Sequence, residues 1–255
     1  VLEELATHGV AENTLIIYIS DHGADFPRGK GTVYENGTRV PMIAHYPKAF
    51  PKGKVQDAFV STLDILPTLL RAAGQPIPEH LPGIALQDIE SELSPRRQYM
   101  HTFTTGSSPN LLYVQFAIRD DRYKLIYSPQ RSLNRLAASR YVNSRIPPDQ
   151  RLPSFLYPPE YELYDLQEDP YEWHNLADDT TRALTRKRLI QAMHAFQRQI
   201  GDPFADQDNV QRFVDEQIEF QTKPYKRAGF RWPHLELFEE SQRIVRDEAH
   251  GALHN

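Results

Sequence analysis

The apolar positions of this chain change rhythm along its length. Leu15-Ile16-Ile17-Tyr18-Ile19 is an unbroken run rich in β-branched side chains, bounded by Thr14 and Ser20. Without polar alternation it predicts a strand over 14–20, buried on both faces of a largely parallel sheet. A second strand is expected at 40–46, where Pro41 is tolerable only if no neighbour needs its N–H. Leu66, Leu69, Leu70 and Ala73 then repeat at helical spacing over 64–73, with Gly74 as the stop. Pro67 fits the first turn if Asp64 caps that helix.

From residue 98 the rhythm becomes alternating or β-rich, in 99–104, 112–119 and 123–127, with Asp120-Asp121 as a turn. Tyr161–Leu166 returns to the same small antiparallel sheet. The intervening 129–160 is rich in arginine, serine and proline and reads as a long surface excursion. Leu189, Met193, Phe196 and Ile200 mark a helix over about 180–200, ended by Gly201-Asp202-Pro203. A further helical stretch carries Val210, Phe213, Val214 and Ile218. The basic, aromatic stretch 223–232 and an amphipathic segment with Leu235, Phe238, Ile244 and Val245 close the chain.

The expected fold class is therefore α/β: the end of a large, mostly parallel sheet flanked by helices, then a small antiparallel sheet with C-terminal helices. Three parts are expected, 1–95, 96–204 and a helical tail 205–255 to which no role attaches. Composition narrows the function. Hydrophobic residues make up 40 % and charged residues 25 %, which suits an ordinary globular chain. A net charge of −5 without long runs of one sign argues against a nucleic-acid groove or a polybasic membrane anchor. No apolar stretch approaches the ~20 residues of a bilayer span. The absence of cysteine removes disulfides, thiolate metal sites and a cysteine nucleophile from these residues. The chain opens on Val1 in what reads as the end of a helix, and we read it as the downstream part of a longer protein.

Candidate chemistry begins where the first strand ends. Asp21-His22-Gly23 brings an acid and an imidazole to the carboxyl end of a strand, where α/β sheets place their ligand crevices. An ordinary turn would use the same residues. The following Phe26-Pro27-Arg28-Gly29-Lys30-Gly31-Thr32 sets glycines beside a lysine, so that N–H groups and an ammonium can approach a tetrahedral oxyanion. It lacks the spacing of a P-loop, and in isolation a solvated basic turn would look alike.

Taken in order, Ser20-Asp21-His22-Gly23, Gly29-Lys30, Tyr34–Ile43, Val60–Leu70, Leu81–Leu86, Ile118–Ile126, Glu162–Leu166, Asp169-Pro170 and Asn175-Leu176-Ala177 resemble the downstream half of a type I sulfatase. That is the formylglycine-dependent arylsulfatase and sulfamidase group of the alkaline phosphatase superfamily. The resemblance covers about residues 10–204, and Phe26-Pro27 leans to the heparan N-sulfatase branch. It implies hydrolysis of sulfate esters or sulfamates, on sugars or glycosaminoglycans, outside the cytoplasm. It implies one divalent cation, Ca2+, with Asp21 and His22 as metal ligands, although calcium prefers oxygen to an imidazole. Lys30 matches the basic residue that holds the sulfate and acts in catalysis. The formylglycine nucleophile is expected upstream, because no Cys- or Ser-x-Pro-x-Arg run occurs here. By itself, then, the chain is expected not to turn over.

Arg28 and His101 are further candidates for reading substrate, each equally compatible with a structural or solvated role. Asp25 flanks the anion loop, His45 reads as a core or edge residue, and Glu35 is expected to pair with Arg39. Two alternatives stand beside the sulfatase: a phosphodiester or phosphonate hydrolase of the same superfamily, and a non-catalytic protein that binds sulfated glycans. Oligomeric state is left open.

Overall fold

The computed structural model describes residues 1–89, 97–106, 112–130 and 133–222. The expected segments 223–232 and 235–245 lie outside these. The described chain forms two compact units, Val1–Asp21 with Val40–Met100, and His22–Arg39 with His101 onward. The candidate anion loop thus belongs to the second unit, although its sequence interrupts the first.

In the first unit, α1 (Leu2–Thr7) leads to β1 (Ile16–Ile19), and β2 (Met42–His45) pairs with it antiparallel, Ile17 opposite Ala44. This pairing differs from the parallel neighbour that the apolar run suggested. Tyr18 and Ile43, opposite one another, are 66 % and 62 % exposed, because among the described residues of its unit nothing covers that face of the two-stranded ribbon. A 3-10 turn at Thr62–Asp64 runs into α3 (Ile65–Ala72), and Gly74 follows with φ +67°. The expected apolar stripe of this helix faces outward, with Leu66 and Leu69 about half exposed, while Pro67 and Thr68 are buried. The Thr68 hydroxyl donates to the Asp64 carbonyl at 2.6 Å and accepts the Leu86 N–H at 2.8 Å, which turns that side inward.

Asp64 stands at the N-cap position of α3, but its side chain is used elsewhere. Its carboxylate is fully buried, accepts the N–H groups of Ser61 and Ile84, and takes two bonds from the Arg97 guanidinium at 2.8 and 3.0 Å. It makes no side-chain bond to the first turn of α3. A buried carboxylate is tolerated only when hydrogen-bonded and paired, and Arg97 supplies the pair.

The second unit has the short α2 (Glu35–Thr38) and a sheet of β3 (Met100–Gly106), β4 (Leu112–Arg119), β5 (Tyr123–Tyr127) and β6 (Tyr161–Asp165), in the order β3-β4-β5-β6. The Asp120 carboxylate closes the β4–β5 turn by accepting the N–H groups of Arg122 and Tyr123. Period two separates the faces. Ala117, Ile126 and Tyr164 point to one side, where they pack with Val33, Tyr34, Ala137, Tyr141 and Phe155. On the other, Phe116 meets Phe204 at 5.8 Å between ring centres, and Phe204 meets Phe213 at 5.1 Å. That side is covered by α6 (Ala183–Gln199) and α7 (Gln207–Thr222), from which Leu189, Met193, Val210, Phe213 and Val214 are buried.

Two expectations change here. The segment 129–160 is no surface excursion: α4 (Arg135–Asn143) and α5 (Pro153–Leu156) lie in it, and Leu136, Ala137, Tyr141 and Phe155 are buried. Asn134 caps α4 by accepting the Ala137 N–H at 3.1 Å. Its arginines mask the pattern, since Arg140 is itself buried and paired with Asp25. The first part of the expected tail, α7, is an integral wall of this unit.

Candidate functional site

The loop from His22 to Arg39 is shaped by close backbone approach. Gly23 donates its N–H to the Gly37 carbonyl at 3.1 Å, and a Cβ on Gly23 would stand 1.6 Å from the Asn36 oxygen. A Cβ on Gly29 would stand 2.0 Å from the Ala24 oxygen. Only hydrogen fits in these places. The Ala24 carbonyl accepts the N–H groups of both Phe26 and Lys30, at 2.8 and 2.9 Å, so those two residues are gathered around one oxygen. Thr104 of β3 donates its hydroxyl to the Gly31 carbonyl at 3.1 Å.

A buried charged network ties this loop to the sheet. Glu35 takes Arg119 at 2.5 Å and Lys124 at 3.0 Å, while the expected partner, Arg39, acts on it as a weaker charge. Lys124, almost fully buried, also faces Glu172 at 3.2 Å. The Glu172 carboxylate accepts the Glu35 N–H at 2.8 Å. Burial alone would raise the Glu35 pKa, but the cations of Lys124 and Arg119 outweigh it and hold the carboxyl below its usual range. Beside it Tyr34 and Tyr164 donate their hydroxyls to Glu162. Burial keeps the Glu162 carboxyl above its ordinary value, against the opposing pull of those two hydrogen bonds.

Each expected site residue has a definite place. Arg28 is buried, with φ 61°, and its guanidinium lies 3.9 Å from the centre of the Tyr34 ring. It donates to the Tyr164 hydroxyl and to the carbonyls of Tyr171 and Glu172. Its charge is thus spent inside the fold, holding the loop. Lys30, two residues on, is half-buried, and among the described residues no hydrogen bond or ion pair engages its ammonium.

His101 sits on β3 three positions before Thr104, hence on the opposite face, away from the loop. Its ring stacks on Phe196 at 3.7 Å, and burial lowers its pKa to about 4. That geometry gives it a packing position instead of a place beside Lys30.

Asp21 is exposed at the end of the first unit, and His22 opens the second. The His22 Nδ1 lies 2.8 Å from the Gly23 carbonyl, a contact that favours the tautomer with the proton on Nδ1 and the lone pair on Nε2. Such a nitrogen and the Asp21 carboxylate are suitable metal donors. Among the described residues no group of three or more His, Cys, Asp or Glu side chains could hold a metal. Calcium takes about six to eight oxygens, so these two residues suit part of a coordination shell.

Sequence reasoning missed Lys124, Glu162 and Glu172. The alternation of Tyr123-Lys124-Leu125-Ile126 and of Tyr161-Glu162-Leu163-Tyr164 placed both charges on strand faces, which was the available signal.

Comparison with known proteins agrees with this architecture. A sulfatase family model matches residues 1–75. An ulvan-active sulfatase of Formosa agariphila is 32 % identical over 206 residues, covering 76 % of this chain and 39 % of the relative. The human N-sulphoglucosamine sulphohydrolase is 29 % identical over 233 residues, covering 80 % of this chain and 45 % of the relative. The solved structure of BT4656 in complex with its substrate D-glucosamine-2-N,6-O-disulfate superposes with a TM-score of 0.61 at 26 % identity, over 78 % of this chain and 37 % of that one. The chain therefore spans less than half the length of these relatives.

Proposed function

The chain belongs to the sulfatase family of the alkaline phosphatase superfamily, and from that premise we propose that it forms the downstream part of a hydrolase of sulfate esters or sulfamates on sugars. The observation that supports this reading most is the loop 22–39. Three interlocked glycines and a buried charged network hold its backbone, while the Lys30 ammonium is left without a partner among the described residues. A cation carried on a fixed backbone, with no carboxylate paired to it among the described residues, is suited to an anion whose charge grows in the transition state.

In this proposal Lys30 binds an oxygen of the sulfate group and stabilises its developing charge. Asp21 contributes a carboxylate, and His22 its Nε2, to a divalent cation. A bound calcium would supply Lewis-acid polarisation of the same group. The formylglycine nucleophile is proposed to come from sequence outside these 255 residues, since none of its motifs occurs within them. Arg28 serves by clamping the loop, and sulfated carbohydrate is the proposed substrate. Among the described residues no helix is long and apolar enough to cross a membrane, and an extracytoplasmic location is proposed from the family.

The test is sulfate release by the full-length protein from sulfated and N-sulfated glucosamine, with a phosphonate monoester in parallel. Sulfate release that collapses in Lys30→Ala, with calcium affinity reduced in Asp21→Asn, is the expected outcome. Preference for the phosphonate, or full turnover in Lys30→Ala, would overturn it. Binding of sulfated sugar without hydrolysis would instead mark a non-catalytic glycan-binding protein.

A further inference from the structure

Around Arg28 the second unit displays three large aromatic side chains that the fold does not bury. Phe26, Tyr171 and Trp173 are 63 %, 63 % and 59 % exposed. Tyr171 and Trp173 flank Glu172, which is buried and has φ 60°. A non-glycine residue held in that region persists only where its surroundings over-determine it. Here Glu172 is pinned by Lys124, by the Glu35 N–H and, through its carbonyl, by Arg28. The Tyr171 carbonyl is held by the same guanidinium. The loop is tied further, with the Asp169 carboxylate accepting the His174 N–H and Asn175 accepting those of Leu163 and Ala177. A buried acid between two exposed aromatics is thus a fixed pedestal presenting two rings.

The third aromatic residue, Phe26, stands on the same loop as Lys30. Phe26 and Lys30 share the Ala24 carbonyl, and Arg28 between them stands 5.7 Å from the centre of the Trp173 ring. The patch therefore combines exposed aromatic side chains on a held backbone with an ammonium that has no partner among the described residues. Aromatic faces complement the C–H faces of a sugar ring, and the ammonium complements a sulfate. Aromatic side chains turn about only two bonds, so they lose little conformational entropy on binding.

We propose that Phe26, Tyr171 and Trp173 form a saccharide-stacking platform that binds the sugar next to the one whose sulfate meets Lys30, so that the substrate is an oligosaccharide rather than a single sugar. The proposal rests on the sulfatase reading and adds chain-length selectivity to it. Phe26 supports the reacting sugar, and Tyr171 with Trp173 its neighbour.

The experiment uses the full-length protein with Trp173→Ala, Tyr171→Ala and Trp173→Phe, and compares N-sulfated glucosamine with an N-sulfated heparan tetrasaccharide. Loss of one stacked ring is expected to raise KM for the tetrasaccharide about tenfold, with kcat unchanged, and Trp173→Phe should restore most of it. The monosaccharide should be turned over as by the parent protein. Unchanged KM for the tetrasaccharide in both alanine variants would overturn the platform. So would an equal loss on both substrates, which would mean that the rings only support the loop. Should the parent release sulfate from neither, the sulfatase reading falls, and calorimetric titration with the intact tetrasaccharide decides the platform alone. Binding weakened by Trp173→Ala upholds it, whereas no binding, or binding indifferent to that change, removes it.

Discussion

Arg28 and Glu172 both hold a left-handed backbone, with φ of 61° and 60°, and the guanidinium of the first donates to the carbonyl of the second at 2.5 Å. Two residues in conformations that favour glycine clasp one another, 144 positions apart. Their strain is offset by what the clasp achieves: a cation over the Tyr34 ring, a bond to Tyr164 and a carboxylate beneath Lys124. Arg28→Lys should not behave as a conservative change, because an ammonium cannot reach two carbonyls and a phenol in one plane. We expect a loss of about 2 kcal/mol in urea unfolding of the full-length protein, together with reduced sulfate release. Parent-like stability would show that the planar fork is dispensable.

Lys124 is the sole cation bridging Glu35 and Glu172 among the described residues. Replacing it by Met fills similar volume but leaves the buried Glu172 without its cation and Glu35 with Arg119 alone. Breaking a buried pair by removing one partner costs about 3–5 kcal/mol, and a loss of that order is expected here. The Lys124→Met, Glu172→Gln double variant should recover part of it, and the shift in urea midpoint checks both.

The glycines of the anion loop make a sharper prediction. Gly23→Ala would drive a methyl into the Asn36 carbonyl, which belongs to backbone and cannot swing away. Destabilisation of about 1–3 kcal/mol is expected, with sulfate release falling far more than stability. Circular-dichroism melting beside the activity assay separates the two effects.

His101 sets a pH dependence. Its folded pKa, lowered to about 4 by burial, lies below the ordinary histidine value, so the fold favours the neutral ring. The unfolded chain takes up a proton first as pH falls, so the contribution of this residue is fully present above about pH 6.5 and declines toward pH 4. His101→Phe keeps a ring against Phe196 and should flatten the melting temperature over that interval. An unaltered slope would assign the dependence to other groups.

Much of this was legible in local spacing. The alternation of 112–127 and 161–165, the 3–4 spacing of Leu189, Met193 and Phe196, and the turn at Asp120-Asp121 each reflect backbone preferences that a few neighbouring residues decide. The order of Asp21-His22-Gly23, Gly29-Lys30 and the later motifs carried the family. Proline and arginine hid α4 and α5, because Arg140 occupies a buried position and Pro153 begins a helix.

What the sequence by itself determined, then, is most of the strands and long helices, the family and the loop that carries Lys30. Only the tertiary structure decided which charges act on that loop. Glu35 lies four residues from Arg39, yet it pairs with Lys124, 89 positions away. Asp64 reads as a helix cap, yet its carboxylate belongs to Arg97, 33 positions on. Leu66 and Leu69 form an apolar stripe, yet Thr68 takes the buried side because its hydroxyl meets the Leu86 N–H. Spacing along a chain reports dihedral preference and face, which are local. The partner of a buried charge is set by which distant strand reaches it in space, and desolvation makes that choice energetically decisive.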